Sequence, residues 1–484
     1  MDKLQKQTLL GTIWVAVGRF GYMITQFISN LVLARLLTPT DFGTIAILMV
    51  FVVFSNVLID SGFSASLIQK KEINDIDKST VFFTNLLIAL SVYVLLFVTA
   101  PLIADYFNMP DLPVYLRVLE LMVVIDAVCA IQNTLLHREM NFKRVTKISL
   151  SSIIIAAIIA ILLAFCGFGI WALIIQHIMY SLIRTSLTWM FSNWHPKCGF
   201  SKESFKTLFG YGSKLLISRV IATLYENLQQ VIIGHYYTPS DLGYYSQARQ
   251  FQQIPTGMVS HAIDSASFPV YSKLQDDRKA LESLFRKNIK LVSFVNTPLM
   301  VLLAIIAHPL IVFLYSSKWI GSIPYFQFLC IAFGIVLAIH QCSLCVIKAM
   351  GRSDYILKLE IIKKVIGITF IFIGNAVWGL WGILYGFALN AIIEIFLNGY
   401  FVNKEIGYGS NKLLLDILPS VLVATLTGGI SYGVSLLINY KPEIIVILII
   451  SIVFIIIYVA VSYVFKIYGS NILVTAVKNV IIRI

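Results

Sequence analysis

The chain has 484 residues, of which 58% are hydrophobic and 13% are charged, and its mean hydropathy is +0.85. A water-soluble protein must cover its surface with polar groups, so this composition excludes a soluble enzyme or binding protein and indicates an integral membrane protein. The formal net charge of +13 could suggest a nucleic-acid binder, but nearly all basic residues lie in short loops between apolar segments. We therefore expect no nucleic-acid partner.

Most apolar segments are about 20 residues long or longer, which is the length that an α-helix needs to cross a bilayer. The first segment is longer than the apolar region of a signal peptide and lacks a small-residue cleavage site, so we expect it to remain as a membrane helix. About fourteen spans are predicted, roughly Leu10–Leu36, Phe42–Ile68, Val81–Ala104, Pro113–Leu136, Ile148–Phe165, Ile170–Phe191, Leu208–Tyr236, Leu242–Phe268, Ile289–Tyr315, Ile323–Ala349, Leu359–Gly374, Leu380–Val402, Leu413–Ile438 and Ile444–Phe465.

The loops between these segments differ in charge. Loops after even-numbered segments are basic, whereas loops after odd-numbered segments contribute only Lys318 and Lys441. Because Lys and Arg are retained on the cytoplasmic side, we expect both termini in the cytoplasm. No loop is long enough to fold as a catalytic domain, so we expect no catalytic residue, no metal site and no enzyme activity.

A short motif occurs twice at an offset of about 200 residues. It reads TPTDFG over Thr38–Gly43 and TPSDLG over Thr238–Gly243. The preceding segments also carry polar residues at steps of three and four, which places each set on one helix face. These polar residues are Arg19, Tyr22, Gln26 and Asn30 in the first segment and Arg219, Thr223, Glu226 and Gln230 in the seventh.

The repeat predicts an all-α integral membrane fold built from two six-helix lobes. Residues 1–200 and 201–406 would form the lobes, 407–466 an additional transmembrane helix pair, and 467–484 a cytoplasmic tail. Because both halves start in the cytoplasm, we expect them to be related by a pseudo-twofold axis along the membrane normal, with a cavity between them.

Three arginines, Arg19, Arg219 and Arg249, lie about ten residues from the predicted helix ends. A charge at such a depth is costly unless it faces a cavity or a partner. Arginine binds phosphate through two parallel hydrogen bonds and stays charged when it is desolvated. We therefore predict a cavity that binds an anionic head group such as a diphosphate, while a structural ion pair of Arg249 with Glu226 or Asp264 is the alternative. The predicted binding residues are Arg19, Arg219, Arg249, Gln26, Asn30, Gln230 and Gln253.

Coupling to H⁺ or Na⁺ would require an acidic residue that changes its charge or coordination between states. We predict Asp60, Glu226 and Asp264 as candidates, with an interhelix ion pair as the alternative. No other cofactor is expected. His177, His261 and His340 stand apart from other ionisable residues in the sequence, so we interpret them as packing or polar-stripe residues.

Several motifs resemble the Wzx-type polysaccharide exporters of the multidrug/oligosaccharidyl-lipid/polysaccharide superfamily, especially the lipopolysaccharide and colanic-acid branch. They include Ala34–Gly43, Asp60–Phe63, Gly243–Ala248 and Ala349–Arg352. The resemblance covers nearly the whole chain. It implies a V-shaped fold like that of multidrug antiporters, alternating access through a cationic cavity, and a bacterial inner-membrane location. The implied cargo is an undecaprenyl-diphosphate-linked oligosaccharide, with membrane lipid, a polysaccharide polymerase and glycosyltransferases as the implied partners.

Two rival functions share this architecture. A multidrug antiporter of the same superfamily would be expected to bind cationic drugs with acidic residues, which the three arginines disfavour. A flippase for the peptidoglycan lipid precursor would differ in its cargo more than in its mechanism.

Overall fold

The computed structural model describes residues 3–60, 62–70, 72–192, 194–197, 199–437 and 442–470. Over these residues the chain is built from helices joined by short turns, without a strand. The chain divides into two compact units, residues 1–243 and residues 244–484. The predicted boundaries of the lobes and of the helix pair stay a prediction, and the part of the predicted tail after residue 470 lies outside the described residues.

The first unit contains nine complete helices within its described residues. The predicted second span is divided into α2 and α3 at Gly62, which has a φ of +73°. The predicted fourth span is divided into α5 and α6 at Glu120. The helices are α1 (Lys3–Leu36), α2 (Pro39–Asp60), α3 (Phe63–Gln69), α4 (Asp75–Phe107), α5 (Leu112–Leu119), α6 (Leu121–Arg138), α7 (Phe142–Phe165), α8 (Ile170–Met190) and α9 (Lys202–Tyr236).

The second unit contains the remaining helices, although the first five residues of α10 belong to the first unit. A 3₁₀ turn over Ser317–Ser322 and a π-helical segment over Leu329–Gly334 interrupt its middle part. The helices are α10 (Pro239–Lys273), α11 (Arg278–Ile305), α12 (Ala307–Tyr315), α13 (Ile323–Phe328), α14 (Ile335–Ala349), α15 (Ser353–Ile406), α16 (Ser410–Leu437) and α17 (Glu443–Val464).

Eight helical stretches of the described chain are long and apolar enough to cross a membrane. The prediction of a multi-pass helical membrane protein is thus confirmed. Helices α1, α9 and α10 have 34, 35 and 35 residues but lie outside this apolar set. Each carries a row of charged and amide side chains, and such a row inside a membrane protein faces a cavity or a partner.

Helix α15 is broken in the middle, as its two predicted spans require. Trp378 and Gly379 have non-helical backbone angles, and Gly379 has a φ of +59°. On either side of this turn the backbones pack without intervening side chains. A Cβ atom on Gly382 would lie 1.8 Å from the carbonyl oxygen of Gly374, so this close approach requires glycine.

The two copies of the repeated motif fold in the same way and contact each other within the first unit. In the first copy, the Thr38 hydroxyl donates to Asp41 at 2.7 Å, and in the second, the Thr238 hydroxyl donates to Asp241 at 2.6 Å. A Cβ atom on Gly43 would lie 1.7 Å from the carbonyl oxygen of Pro239. The reciprocal distance, from Gly243 to the carbonyl oxygen of Pro39, would be 1.9 Å.

A buried carboxylate joins α11 and α16 in the second unit. Asp416 accepts hydrogen bonds at 2.7 and 3.0 Å from the guanidinium of Arg286 and at 2.8 Å from the Tyr408 hydroxyl. The Lys290 ammonium lies 3.1 Å from the same carboxylate. Because a buried carboxylate needs such partners, this network fixes the two helices against each other.

Candidate functional site

Two residues that the sequence assigned to different roles are paired in the first unit. Asp60, a predicted coupling residue, is the last residue of α2, and Arg219, a predicted cargo-binding residue, lies in the middle of α9. Nη1 of Arg219 donates a hydrogen bond to the Asp60 carboxylate. Because 55% of the Arg219 side chain is exposed, part of its guanidinium stays accessible to a ligand.

The turn after α2 explains why these residues meet. Gly62 follows Asp60 closely, and a Cβ atom on Gly62 would lie 2.5 Å from the carbonyl oxygen of Gly212 in α9. One turn later, the Ser66 hydroxyl donates to the carbonyl oxygen of Leu208 at 3.0 Å. A glycine with a positive φ therefore lets the backbone between α2 and α3 contact α9 directly, and this contact positions Asp60 beside Arg219.

An apolar cavity of about 520 Å³ lies between α2, α4 and α9. Phe51 and Phe54 line it from α2, and Leu102 lines it from α4. Thr223, one turn after Arg219, also lines the cavity, and its carbonyl oxygen accepts a hydrogen bond from the amide of Asn227. The pair of Asp60 with Arg219 and the apolar cavity thus lie on the same two helices, α2 and α9.

An aromatic contact holds α4 and α9 together beside this cavity. The rings of Tyr106 and His235 stack with centroids 4.0 Å apart. Nδ1 of His235 also lies 2.7 Å from the carbonyl oxygen of Tyr106. Tyr106 also lines the cavity, so this contact adjoins the cavity near the ends of the two helices.

Arg19 lines a second cavity of the first unit, with a volume of about 210 Å³. Tyr22 of α1, Thr146 of α7 and Tyr180 of α8 share this cavity. The structure places Arg19 among these hydroxyl groups. Of the predicted amides on the same helix, Gln26 is half-buried and Asn30 is buried.

The other predicted site residues are distributed between the two units. In the first unit, Glu226 is exposed and Gln230 is half-buried on α9. In the second unit, Arg249 is half-buried and interacts with the hydroxyl of Tyr245, whereas Gln253 is exposed. The side chain of Asp264 lies outside the described residues.

Sequence reasoning missed two contacts between ionisable side chains inside the helices. Arg184 of α8 donates to Asp126 of α6 at 2.9 Å. His340 was predicted to be isolated, and this is wrong, because Nδ1 of His340 lies 3.4 Å from the Glu394 carboxylate and 2.7 Å from the Asn398 amide. Neither pair is close in sequence, so helix periodicity gave no signal for them. No group of three or more His, Cys, Asp or Glu residues in the described part of the chain is placed to hold a metal ion.

The fold is similar to solved structures of membrane transport proteins. A lipid II flippase in an inward-closed conformation superposes with a TM-score of 0.72 at 18% identity, covering 94% of this chain and 98% of that chain. An inward-facing multidrug transporter of the multidrug/oligosaccharidyl-lipid/polysaccharide superfamily gives a TM-score of 0.59 at 14% identity, covering 82% and 98%. These similarities show that the chain shares the helical fold of these proteins.

Curated relatives match most of the chain. The teichuronic acid biosynthesis protein TuaB of Bacillus subtilis is 23% identical, covering 90% of each chain. The lipopolysaccharide biosynthesis protein WzxC of Escherichia coli is 24% identical over 90% of this chain and 89% of its own length. The succinoglycan biosynthesis transport protein ExoT of Rhizobium meliloti is 28% identical over 73% of this chain and 71% of its own length.

A family model described as "Polysaccharide biosynthesis protein" matches residues 32–324, which is more than half of the chain. The matched residues include both copies of the repeated motif and the helices that carry Asp60, Arg219 and Arg249. The chain therefore belongs to the family of polysaccharide biosynthesis proteins, as its resemblance to the Wzx-type exporters predicted.

Proposed function

We propose that this protein is a flippase that moves an undecaprenyl-diphosphate-linked oligosaccharide from the cytoplasmic to the outer leaflet of the bacterial inner membrane. It moves the cargo without changing its bonds, so it is not an enzyme. The family match, the relatives named for polysaccharide biosynthesis and transport, and the fold of the lipid II flippase support this proposal. An oligosaccharide and two phosphates cross hydrocarbon slowly on their own, because each unpaired polar group costs several kcal/mol there.

The observation that carries the proposal is the paired Arg219 and Asp60 beside the apolar cavity on α2 and α9. A lipid-linked diphosphate needs a cation for its phosphates and an apolar surface for its prenyl chain. The exposed part of the Arg219 guanidinium supplies the first through two parallel N–H donors. The cavity lined by Phe51, Phe54 and Leu102 supplies the second.

The pairing also gives a mechanism for coupling. A phosphate that binds Arg219 competes with Asp60 for the same guanidinium. An Asp60 carboxylate that loses its cation inside the membrane is left as an uncompensated charge, which a coupling H⁺ or Na⁺ can neutralise. Cargo binding at Arg219 and ion binding at Asp60 would thereby be linked through the pair. Arg19, Arg249 and the amides of Gln26, Asn30, Gln230 and Gln253 complete the proposed polar path.

The proposed topology has about fourteen membrane helices, arranged as two six-helix repeats and a further pair, with both termini in the cytoplasm. The basic residues of the even-numbered loops support this orientation. The contact between the two motif copies, described above, supports the repeat. Alternating access between the repeats carries the head group, while the prenyl chain stays in lipid. A polysaccharide polymerase and glycosyltransferases are the proposed partners in the membrane.

A transport assay tests the proposal. Purified protein in liposomes is given a fluorescent polyprenyl-diphosphate oligosaccharide, and its leaflet is read from quenching by an external reductant. We expect flipping by the wild type and at least about a tenfold loss in Arg219→Ala, which corresponds to about 1.4 kcal/mol. Arg117→Ala is the matched control, because Arg117 is an arginine of the same unit that packs on the Phe97 ring at 4.4 Å.

Two outcomes would overturn the proposal. The first is wild-type flipping that Arg219→Ala leaves unchanged. The second is a wild type that moves no polyprenyl diphosphate but exports a cationic dye, which would make the protein a multidrug antiporter. Lipid II is run alongside as a second cargo, because preferential flipping of lipid II would identify a peptidoglycan-precursor flippase.

A further inference from the structure

A polar cavity of about 490 Å³ lies in the first unit, at the opposite end of α4 from the apolar cavity of the proposed cargo site. It is built from the start of α4, the end of α6, the start of α7 and the segment that follows α8. Its polar lining includes Asp75, Lys78, Gln132, Glu139, Arg144 and Lys197. The proposed transport mechanism uses none of these residues, so the cavity needs an explanation of its own.

The cavity lies where membrane helices begin and end. Among the helices that are apolar enough to cross a membrane, α4 begins at Asp75, α7 begins at Phe142 and α8 ends at Met190. The loops at the cavity follow the second, fourth and sixth predicted spans, which are basic loops predicted to lie on the cytoplasmic side. The cavity therefore lies at the level where hydrocarbon meets lipid head groups.

Two buried side chains in the cavity wall carry polar atoms without a partner. Gln132 is only 1% exposed, and neither its amide nitrogen nor its amide oxygen has a hydrogen-bond partner among the described residues. The same holds for Nε1 of Trp194, which is also buried. Because buried polar groups are nearly always hydrogen-bonded, this wall requires a group that both donates and accepts. A hydroxyl group does both, whereas an ammonium group only donates.

The cations that line the cavity outnumber its carboxylates by one. Asp75 accepts hydrogen bonds from Lys78 at 3.1 Å and from Lys197 at 2.6 Å. Arg144 belongs to no ion pair within the described part of the chain, and its Nη1 donates to a backbone carbonyl oxygen at 3.2 Å. With Glu139 as the second carboxylate and the lining histidine neutral, one positive charge remains. A phosphodiester carries the single negative charge that would balance it.

We propose that this cavity binds the head group of an anionic phospholipid that carries free hydroxyl groups, such as phosphatidylglycerol. The phosphate binds the guanidinium of Arg144 through charge-assisted hydrogen bonds. The glycerol hydroxyls bind Gln132 and Trp194, and the upper part of an acyl chain lies along Phe191, which lines the cavity at 48% exposure. Anionic lipids give the cytoplasmic leaflet its negative surface potential, which favours binding beside basic loops. This site does not depend on the proposed flippase function.

Lipid binding to the delipidated full-length protein tests the proposal without any cargo. Native mass spectrometry compares phosphatidylglycerol with phosphatidylserine, which has the same net charge but no head-group hydroxyl. We expect phosphatidylglycerol to bind at least about threefold more tightly, because it alone supplies the hydroxyl hydrogen bonds. Arg144→Ala should weaken its binding by at least about tenfold, since hydrogen bonds to a charged group are lost. Lys147→Ala is the matched control, because Lys147 is an exposed cation three residues further along α7 that does not line the cavity.

Two further variants test the buried wall. Gln132→Leu and Trp194→Phe remove the unpartnered atoms, and each should weaken phosphatidylglycerol binding by about fivefold, the effect of losing a hydrogen bond. Because Gln132→Leu deletes a buried amide without a partner, its melting temperature in the absence of lipid should not fall. A loss of affinity in this variant would then reflect the lost contact with the lipid.

Three outcomes would overturn the proposal. The first is equal binding of the two lipids, or unchanged affinity in both Gln132→Leu and Trp194→Phe, which would show that water satisfies the wall and that only charge attracts the lipid. The second is an equal effect of Arg144→Ala and Lys147→Ala. The third concerns glycerophosphoglycerol, the soluble head group without acyl chains. If it binds as tightly as the intact lipid, the ligand is a soluble phosphodiester.

Discussion

The hydroxyl oxygens of Thr40 and Ser240, which occupy the same position in the two motif copies, lie 2.8 Å apart. This contact pairs equivalent residues of segments that are 200 positions apart in the sequence. The neighbouring glycines Gly43 and Gly243 pack on each other's motif in the same reciprocal way. The motif therefore forms a self-complementary helix–helix junction, and its small residues are explained by packing.

Replacing either motif glycine with alanine should destabilise the protein. The new methyl group of Gly43→Ala would collide with a backbone carbonyl, which cannot turn away as a side chain could. We expect the free energy of unfolding to fall by about 2 kcal/mol, which is the cost of overpacking a close contact. Thermal unfolding in detergent measures the loss, and Gly433→Ala is the control because a Cβ atom there meets nothing within 4 Å. Equal melting temperatures for the two variants would contradict the prediction.

Removing the charge of Asp60 should tighten cargo binding and slow cargo release. In Asp60→Asn, a phosphate no longer competes with a carboxylate for Arg219. Because the ion pair of Asp60 with Arg219 is partly exposed, we expect its loss to strengthen cargo binding by about 1 kcal/mol, which is roughly a fivefold lower Kd. We expect the maximal flipping rate to fall as well, because release must then proceed without the competing carboxylate. A higher Kd in Asp60→Asn would show that Asp60 only positions Arg219.

Filling the apolar cavity should block transport without unfolding the protein. Leu224 of α9 lines the cavity and is 56% exposed, so Leu224→Trp would place an indole where the proposal puts the prenyl chain. We expect at least about a tenfold lower flipping rate, with an unchanged melting temperature. Ile217→Trp is the control, because Ile217 lies on the same helix at 61% exposure and does not line the cavity. Equal flipping by both variants would exclude the cavity from the cargo path.

Replacing Asp416 should destabilise the second unit. Asp416→Asn removes the charge that accepts hydrogen bonds from Arg286 and Tyr408. We expect the free energy of unfolding to fall by about 2 kcal/mol, which is in the range of hydrogen bonds to a charged group. The loss stays moderate because the Arg286 side chain is 54% exposed and its guanidinium can still reach water. Urea or thermal unfolding measures this change. Asp276→Asn, at an exposed turn, is the control, and an equal effect in both would contradict this account of α11 and α16.

The sequence predicted the helices better than their contacts. Apolar length and turn residues located the long apolar helices and the break at Gly379, because these signals are local, but they did not predict the divisions at Gly62 and Glu120. The pairing of Asp60 with Arg219 joins residues 159 positions apart. Helix periodicity placed each residue on a face but could not show which faces meet. The same limit explains why His340 was predicted to be isolated, since its partners come from the second half of α15.

The pair of Arg219 and Asp60 also has an electrical consequence. Its two charges cancel, so helix movements that carry the intact pair do no work against the membrane potential. Each uncompensated elementary charge that crosses the whole membrane is worth about 2.3 kcal/mol per 100 mV. A diphosphate that leaves a negatively polarised cytoplasm is driven outward by that potential. The neutral pair would let the empty protein return without opposing the same voltage.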